Sequence, residues 1–199
     1  LFENTEGEIL REIYFRLYPN APAYNGTLVV RQVSLANQPV KPALSVQDTV
    51  LRLDLPIPLL PGQSVQVAIS FHTAVPTDSQ THYQIFNYAS GMAVLSNFYP
   101  QLAVYDERGW NISMQGDAVY SDIALYRVQL TAPKEMMLVT SGSLVAQTPD
   151  LADTVTRTFV SGPARDFGLL ASSRYQMSKA MVGETEVRSF YLPEDAEGG

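Results

Sequence analysis

The stretch VQVAISFH, residues 65–72, alternates large apolar side chains with small or polar ones without a break. In an extended chain, successive side chains point to opposite faces. Val65, Val67, Ile69 and Phe71 therefore share one face, and Gln66, Ala68, Ser70 and His72 the other. That is the pattern of a strand with one side in a core and one in water, and no helical period competes with it. Residues 51–55, LRLDL, repeat it. Between the two lies PIPLLPG, residues 56–62, with three prolines and a glycine. Proline cannot donate to a sheet ladder, so this piece is expected to stop pairing and turn the chain. The two flanking segments are then expected to be antiparallel neighbours.

The same reading extends in both directions. Residues 13–18, IYFRLY, form a strand stopped by Pro19-Asn20. Residues 28–33 follow the turn Tyr24-Asn25-Gly26, where Asn-Gly suits a positive φ. Residues 126–130, 136–140, 155–160, 167–171, 175–181 and 187–192 continue the series, with Gly183-Glu184 turning the last two into a hairpin. Thr140-Ser141-Gly142-Ser143 and Ala89-Ser90-Gly91 read as hairpin loops. Helical turns could form only near 6–12 or 173–179, and residues 74–95 are the least regular. Short strands at this spacing, with Gly and Pro turns, define an all-β fold: an antiparallel β-sandwich of two or more sheets. Strand-like residues begin almost at Leu1, so further N-terminal strands are expected upstream, leaving a sheet edge open.

Composition excludes several functions. The 199 residues are 46% hydrophobic and carry a formal charge of −7, with Lys and Arg scattered. A polyanion is repelled by such a surface, so nucleic acid is not an expected partner. No apolar run is long enough for a membrane-spanning helix, and membrane insertion is not expected. There is no cysteine, which removes disulfides, thiolate metal sites and thiol nucleophiles. The only histidines are His72 and His82. Neither belongs to a His-Glu-x-x-His pattern, so they read as surface residues and not as zinc ligands. No nucleophile elbow and no Gly-rich loop opening a helix is present. Carboxylates gather at Asp106, Glu107, Asp117 and Asp122. Turn, surface, calcium and acid–base roles are all open to them.

The segment SNFYPQLAVYDERGWN, residues 96–111, carries four aromatic groups in sixteen residues: Phe98, Tyr99, Tyr105 and the single Trp110. These four side chains offer a large apolar surface with polar tips. They form either a corner of the core or a patch facing a partner or substrate. Tyr99, Tyr105, Asp106 and Trp110 are the candidates for the second role.

The same segment carries a resemblance. YPQLAVYDERGWN, then GDAVYSDIALYRVQLTAP and a Thr-Ser-Gly turn, resembles the N-terminal β domain of aminopeptidase N-like zinc metallopeptidases, in their bacterial branch. EIYFRLYPNAP (12–22), LDLPIPLLPGQSVQVAISFHTAVP (53–76) and SGPARDFGLLASSRYQ (161–176) agree with it in order. The resemblance implies a saddle-like, mostly antiparallel β domain over residues 1–193, with 194–199 a linker or cut end. A downstream catalytic domain would be its partner, and would carry the zinc, the His-Glu-x-x-His motif and the Gly-x-Met-Glu-Asn motif that grips a peptide's N-terminus. No catalytic residue, zinc ligand or other cofactor is then expected in these 199 residues. The peptide would be the parent enzyme's substrate, and a secreted or envelope location is favoured over the cytoplasm. In the family, the segment matching residues 96–111 reads Phe-Pro-Cys-x-Asp-Glu-Pro and lies near the substrate cleft. Tyr99-Pro100 and Asp106-Glu107 echo it; the Cys and second Pro do not occur. The other function open at this stage is a free-standing β-sandwich module binding carbohydrate or protein through Tyr99, Tyr105 and Trp110. A hydrolase acting alone would need a nucleophile or ligand set that the chain does not supply.

Overall fold

The computed structural model describes residues 1–77, 85–114, 120–150 and 153–197. Its regular structure is almost all strand, arranged in antiparallel sheets. The first sheet runs in the order Gln101–Leu102, Leu10–Arg16, Val50–Leu59, Ala43–Ser45. The second runs Gln38–Pro39, Thr27–Leu35, Val67–Ala74. Their inner faces meet in the main core. Ile13, Phe15, Leu51 and Leu53 come from one sheet, and Leu28, Val33 and Leu35 from the other. Ile13, Leu51 and Leu53 are wholly buried, and each such side chain contributes about 1.5–3 kcal/mol. The two sheets pack face to face, as in a β-sandwich.

The period-two stretch behaves as its pattern demands. Val67, Ile69 and Phe71 pack on the core while Ala68, Ser70 and His72 face out. Its expected neighbour is wrong, however. The Val67–Ala74 strand pairs with Thr27–Leu35, whereas Val50–Leu59 pairs with Leu10–Arg16 and Ala43–Ser45. The two segments lie in facing sheets, not side by side. Nor does the proline-rich piece end the strand at residue 55. Pairing resumes at Leu59, opposite Leu10, after a register shift that takes up Pro56 and Pro58. Alternating prolines fit there because the far side of residues 53–59 has no neighbouring strand among the described residues.

Pro19 stops the Leu10–Arg16 strand and seeds a short 3-10 turn, Tyr18–Asn20. Asn20 then ties the turn to the next strand, accepting the Leu28 N–H at 2.5 Å and donating to the Leu28 and Asp48 carbonyls. The positive φ of the Tyr24-Asn25-Gly26 turn falls on Asn25, at 52°. Gly26 is needed for closeness: a Cβ there would come within 2.5 Å of the Phe86 ring and 2.8 Å of the Ala74 carbonyl oxygen. Tyr18, Ala21, Tyr24 and Phe86 make a second core.

The other described residues build two further sheets and three two-stranded ribbons, one of them pairing Phe2–Glu3 with Ser64–Val65. One sheet runs Met137–Thr140, Leu169–Ser172, Met92–Leu95, Phe86–Ala89; the other runs Ala124–Pro133, Thr154–Ala164, Ser143–Pro149. Gln176–Val182 and Thr185–Tyr191 form the hairpin expected around Gly183. Ala89-Ser90-Gly91 is a hairpin loop, as read. Thr140-Ser141-Gly142-Ser143 is a tight turn whose two strands go to different sheets. The irregular 74–95 region contains the strands Phe86–Ala89 and Met92–Leu95, with residues 78–84 outside the described residues. No helix forms at 6–12, where a strand begins at Leu10, or at 173–179, where the hairpin begins at Gln176.

Candidate functional site

Residues 96–111 run along one edge of the first sheet and are held by hydrogen bonds at many steps. Asn97, buried at φ 53°, donates to the Tyr24 hydroxyl at 3.0 Å. The Phe98 carbonyl accepts from Thr73 Oγ1 at 2.8 Å. Gln101 and Leu102 add a short edge to the Leu10–Arg16 strand, and Ala103 continues by donating to the Tyr14 carbonyl. Asp106-Glu107-Arg108-Gly109 then turns the chain, as its sequence suggests, with Asp106 opposite Gly109 and Tyr105 opposite Trp110.

The four aromatics do not form one patch. Tyr105 and Trp110 stack edge-on with centroids 5.3 Å apart, and Trp110 also meets Phe2 at 6.1 Å and Tyr14 at 5.9 Å. Trp110 is half-buried and packs against the main core. Phe98 and Tyr99 form a separate edge-on pair at 5.2 Å. Tyr99 reaches the other way, to Tyr126 at 6.4 Å, and its hydroxyl accepts the Phe167 N–H at 3.2 Å. Buried Gln101, Ala103 and Val104 lie in the sequence between the pairs. Burial, then the Tyr126 hydroxyl, pushes the Tyr99 phenol well above its ordinary value, so it serves as a neutral donor and acceptor. The Tyr105 phenol is also raised, chiefly by its 3.1 Å hydrogen bond to the Glu8 carboxylate.

Asp106 is an acceptor at the base of its turn. One oxygen takes the Arg108 N–H at 2.9 Å; the other takes the Tyr120 hydroxyl at 3.3 Å and Asn111 Nδ2 at 3.5 Å. Those donors, the Arg108 N–H foremost, hold its carboxyl below the usual carboxylate range. This is the Asx-turn use of an aspartate. Asp117 and His82 lie outside the described residues, Asp122 is exposed, and His72 is on the outer face of its strand. No group of three or more His, Cys, Asp or Glu side chains that could hold a metal forms among the described residues.

The residue that sequence reading missed is Arg16. It is 2% exposed on a core strand, and five N–H···O contacts use its donors. Nε and Nη2 share the Asn111 carbonyl at 2.9 and 2.7 Å, and Nη2 also reaches Asn111 Oδ1 at 2.8 Å. Nη1 donates to the Tyr18 hydroxyl oxygen and to the Tyr120 carbonyl, both at 2.9 Å. Its guanidinium also sits 5.7 Å from the centre of the Tyr120 ring. Asn111 and Tyr120 then pass hydrogen bonds on to Asp106. A buried cation and a half-exposed carboxylate are thus coupled through two neutral side chains, and both ends of the 111–120 segment are fixed by them. A second knot holds the far side: Ser121 Oγ and the Tyr126 hydroxyl donate to the Arg165 carbonyl, and the Arg165 guanidinium donates to the Ser121 carbonyl.

What this geometry defines is a multiply tied surface segment on an all-β sandwich, and among the described residues no metal-ligand set is assembled on it. No family model and no curated protein matches the chain. Solved structures do share its fold. A point mutant of the M1 zinc metallopeptidase from Deinococcus radiodurans superposes with a TM-score of 0.60 at 20% identity, over 94% of this chain and 41% of that one. The same mutant bound to a Tyr-Ser-Ala substrate gives 0.61 at 19% identity with the same coverage. The enzyme without the substitution gives 0.58 at 20% identity, over 94% and 40%. The chain therefore spans about two fifths of the length of these enzymes.

Proposed function

We infer that this chain is the non-catalytic N-terminal β domain, residues 1–193, of an M1-type zinc metallopeptidase, with 194–199 leading toward the catalytic domain. Its role is to pack on that domain and wall one side of the substrate cleft. The observation that carries the reading is the fold likeness to M1 enzymes over 94% of this chain against 41% of theirs. It agrees with the ordered sequence pieces, the 96–111 segment foremost. Zinc, general base and amine-binding groups belong to the neighbouring domain, and the parent's substrate is a peptide. A bacterial parent with a secreted or envelope location goes with the same reading.

Residues 96–111 are the part assigned to the cleft wall, with Tyr99, Tyr105, Asp106 and Trp110 as the candidates for the facing surface. Their tethers suit a wall better than a flexible recognition loop. Trp110 has its ring against Phe2 and Tyr14, so it props the turn from beneath rather than offering a flat face to a glycan; this favours the domain reading over a free-standing binding module. The test is the coding sequence downstream of residue 199. A His-Glu-x-x-His with a distal Glu in the next domain is the expected result. Its absence, or replacement by an unrelated domain, overturns the assignment.

A further inference from the structure

A groove of about 980 Å³ opens between three elements: the Thr154–Ala164 and Ser143–Pro149 strands, the Met137–Thr140 strand, and the hairpin of residues 176–191. Its apolar surface comes from Phe159 on one side and the cross-strand pair Met177 and Phe190 on another. Arg157, two residues before Phe159 and on the same face of its strand, stands beside that surface.

The bonding of Arg157 is incomplete. Nε donates to Gln147 Oε1 and Nη2 to the Lys134 carbonyl, each at 3.3 Å. Nη1 is buried and has no acceptor. Among the described residues no carboxylate pairs with this guanidinium. The groove's other two cations are engaged, Lys134 with Asp153 at 2.6 Å and Arg188 with Glu186 at 2.5 Å. The guanidinium as a whole is half-exposed, but a buried donor left without an acceptor is costly, and a carboxylate accepting from a guanidinium is the strong case. The second observation is independent. Among the described residues Met137–Thr140 pairs on one side only, with Leu169–Ser172, and all four of its residues line the groove. Such an edge presents alternate N–H and C=O groups ready for another strand.

We propose that this groove is a docking site for an extended acidic peptide segment of another polypeptide. The segment adds as a strand along Met137–Thr140 and sets a Glu or Asp carboxylate on Arg157. Apolar side chains two residues to either side rest on Phe159, Met177 and Phe190. The charge match is local, in a chain of net charge −7: Arg157 has no carboxylate partner among the described residues, and the one carboxylate lining the groove, Glu135, is exposed. The proposal does not depend on the metallopeptidase reading.

The test titrates the isotope-labelled 199-residue chain with acetyl-Leu-Ser-Glu-Ser-Leu-amide and follows amide shifts and the Arg157 side-chain N–H by NMR. Saturable shifts at residues 137–140 and at Arg157 are expected. The Gln analogue of the peptide, and separately the Arg157→Gln chain, should bind about tenfold more weakly. A peptide N-methylated on its three central amides should not bind. If Arg157→Gln fails to fold, the Gln peptide still tests the charge on the native chain. No saturation by about 10 mM, equal binding of the Glu and Gln peptides, or shifts confined to other surfaces would overturn the proposal.

Discussion

Trp110 and Arg16 show how single residues set this surface. Trp110 joins the 105–110 turn to the main core, so Trp110→Ala removes packing on three rings. Fully buried Trp→Ala changes cost about 3–5 kcal/mol; for a half-buried ring about 2 kcal/mol is expected, read by urea unfolding followed by circular dichroism. Arg16→Ala should cost more, about 3–5 kcal/mol, because it strands the Tyr18 hydroxyl and the Asn111 and Tyr120 carbonyls. Arg16→Lys keeps the charge but not the five-donor fork, and should recover only part of that loss. Nothing local in IYFRLY marks its arginine as buried; the acceptors at Asn111 and Tyr120 lie 95 and 104 residues away. The Asp106 turn was legible because its donor is two residues off. Asp106, Glu186 and Glu194 all have carboxyls held below their ordinary values. The causes are led by the Arg108 N–H for Asp106, by Arg188 for Glu186, and by the Glu194 N–H with Arg174 for Glu194. A carboxylate whose folded pKa is depressed stabilises the fold above the unfolded value and loses that contribution as pH falls through the folded one. These groups therefore leave stability flat near neutrality and lower it below about pH 4. Asp106→Asn should flatten that acid fall in a thermal-melt series; an unchanged acid limb would contradict the role given to Asp106.

At the scale of the element, period-two alternation told which face of a strand is buried but not which strand lies beside it. Residues 51–55 and 65–72 have the same pattern because both face one core, from opposite sides. A pattern that reports depth is silent on lateral neighbours, which are set by contacts distant in sequence. The prolines misled for a related reason: Pro56 and Pro58 are excluded from a central strand but not from an unpaired side. Hairpins were legible where both strands belong to one sheet, as around Gly183, and not at Thr140-Ser141-Gly142-Ser143, where the chain changes sheets. Gly26 offers a test of close packing between elements. Gly26→Ala drives a methyl group into the Ala74 carbonyl and the Phe86 ring, and a loss of about 1–3 kcal/mol is expected by denaturant titration. A neutral result would mean the Tyr24–Phe86 core is looser than described.

The described residues form short antiparallel sheets around apolar cores, and the buried polar groups Asn4, Arg16 and Asn97 tie neighbouring segments together. That the aromatic segment 96–111 is tied by hydrogen bonds along its length was not legible from its composition, which suited an active site equally well. Its hydrogen bonds to Tyr14, Tyr24, Thr73 and Phe167 distribute it over several strands. On the proposed reading, the reaction belongs to a catalytic domain that follows this chain. The direct test is an aminopeptidase assay with zinc supplied, run on the 199-residue chain alone and on the chain in its natural continuation. No turnover by the chain alone and clear turnover by the longer protein are predicted; zinc-dependent turnover by the 199 residues by themselves would contradict the account.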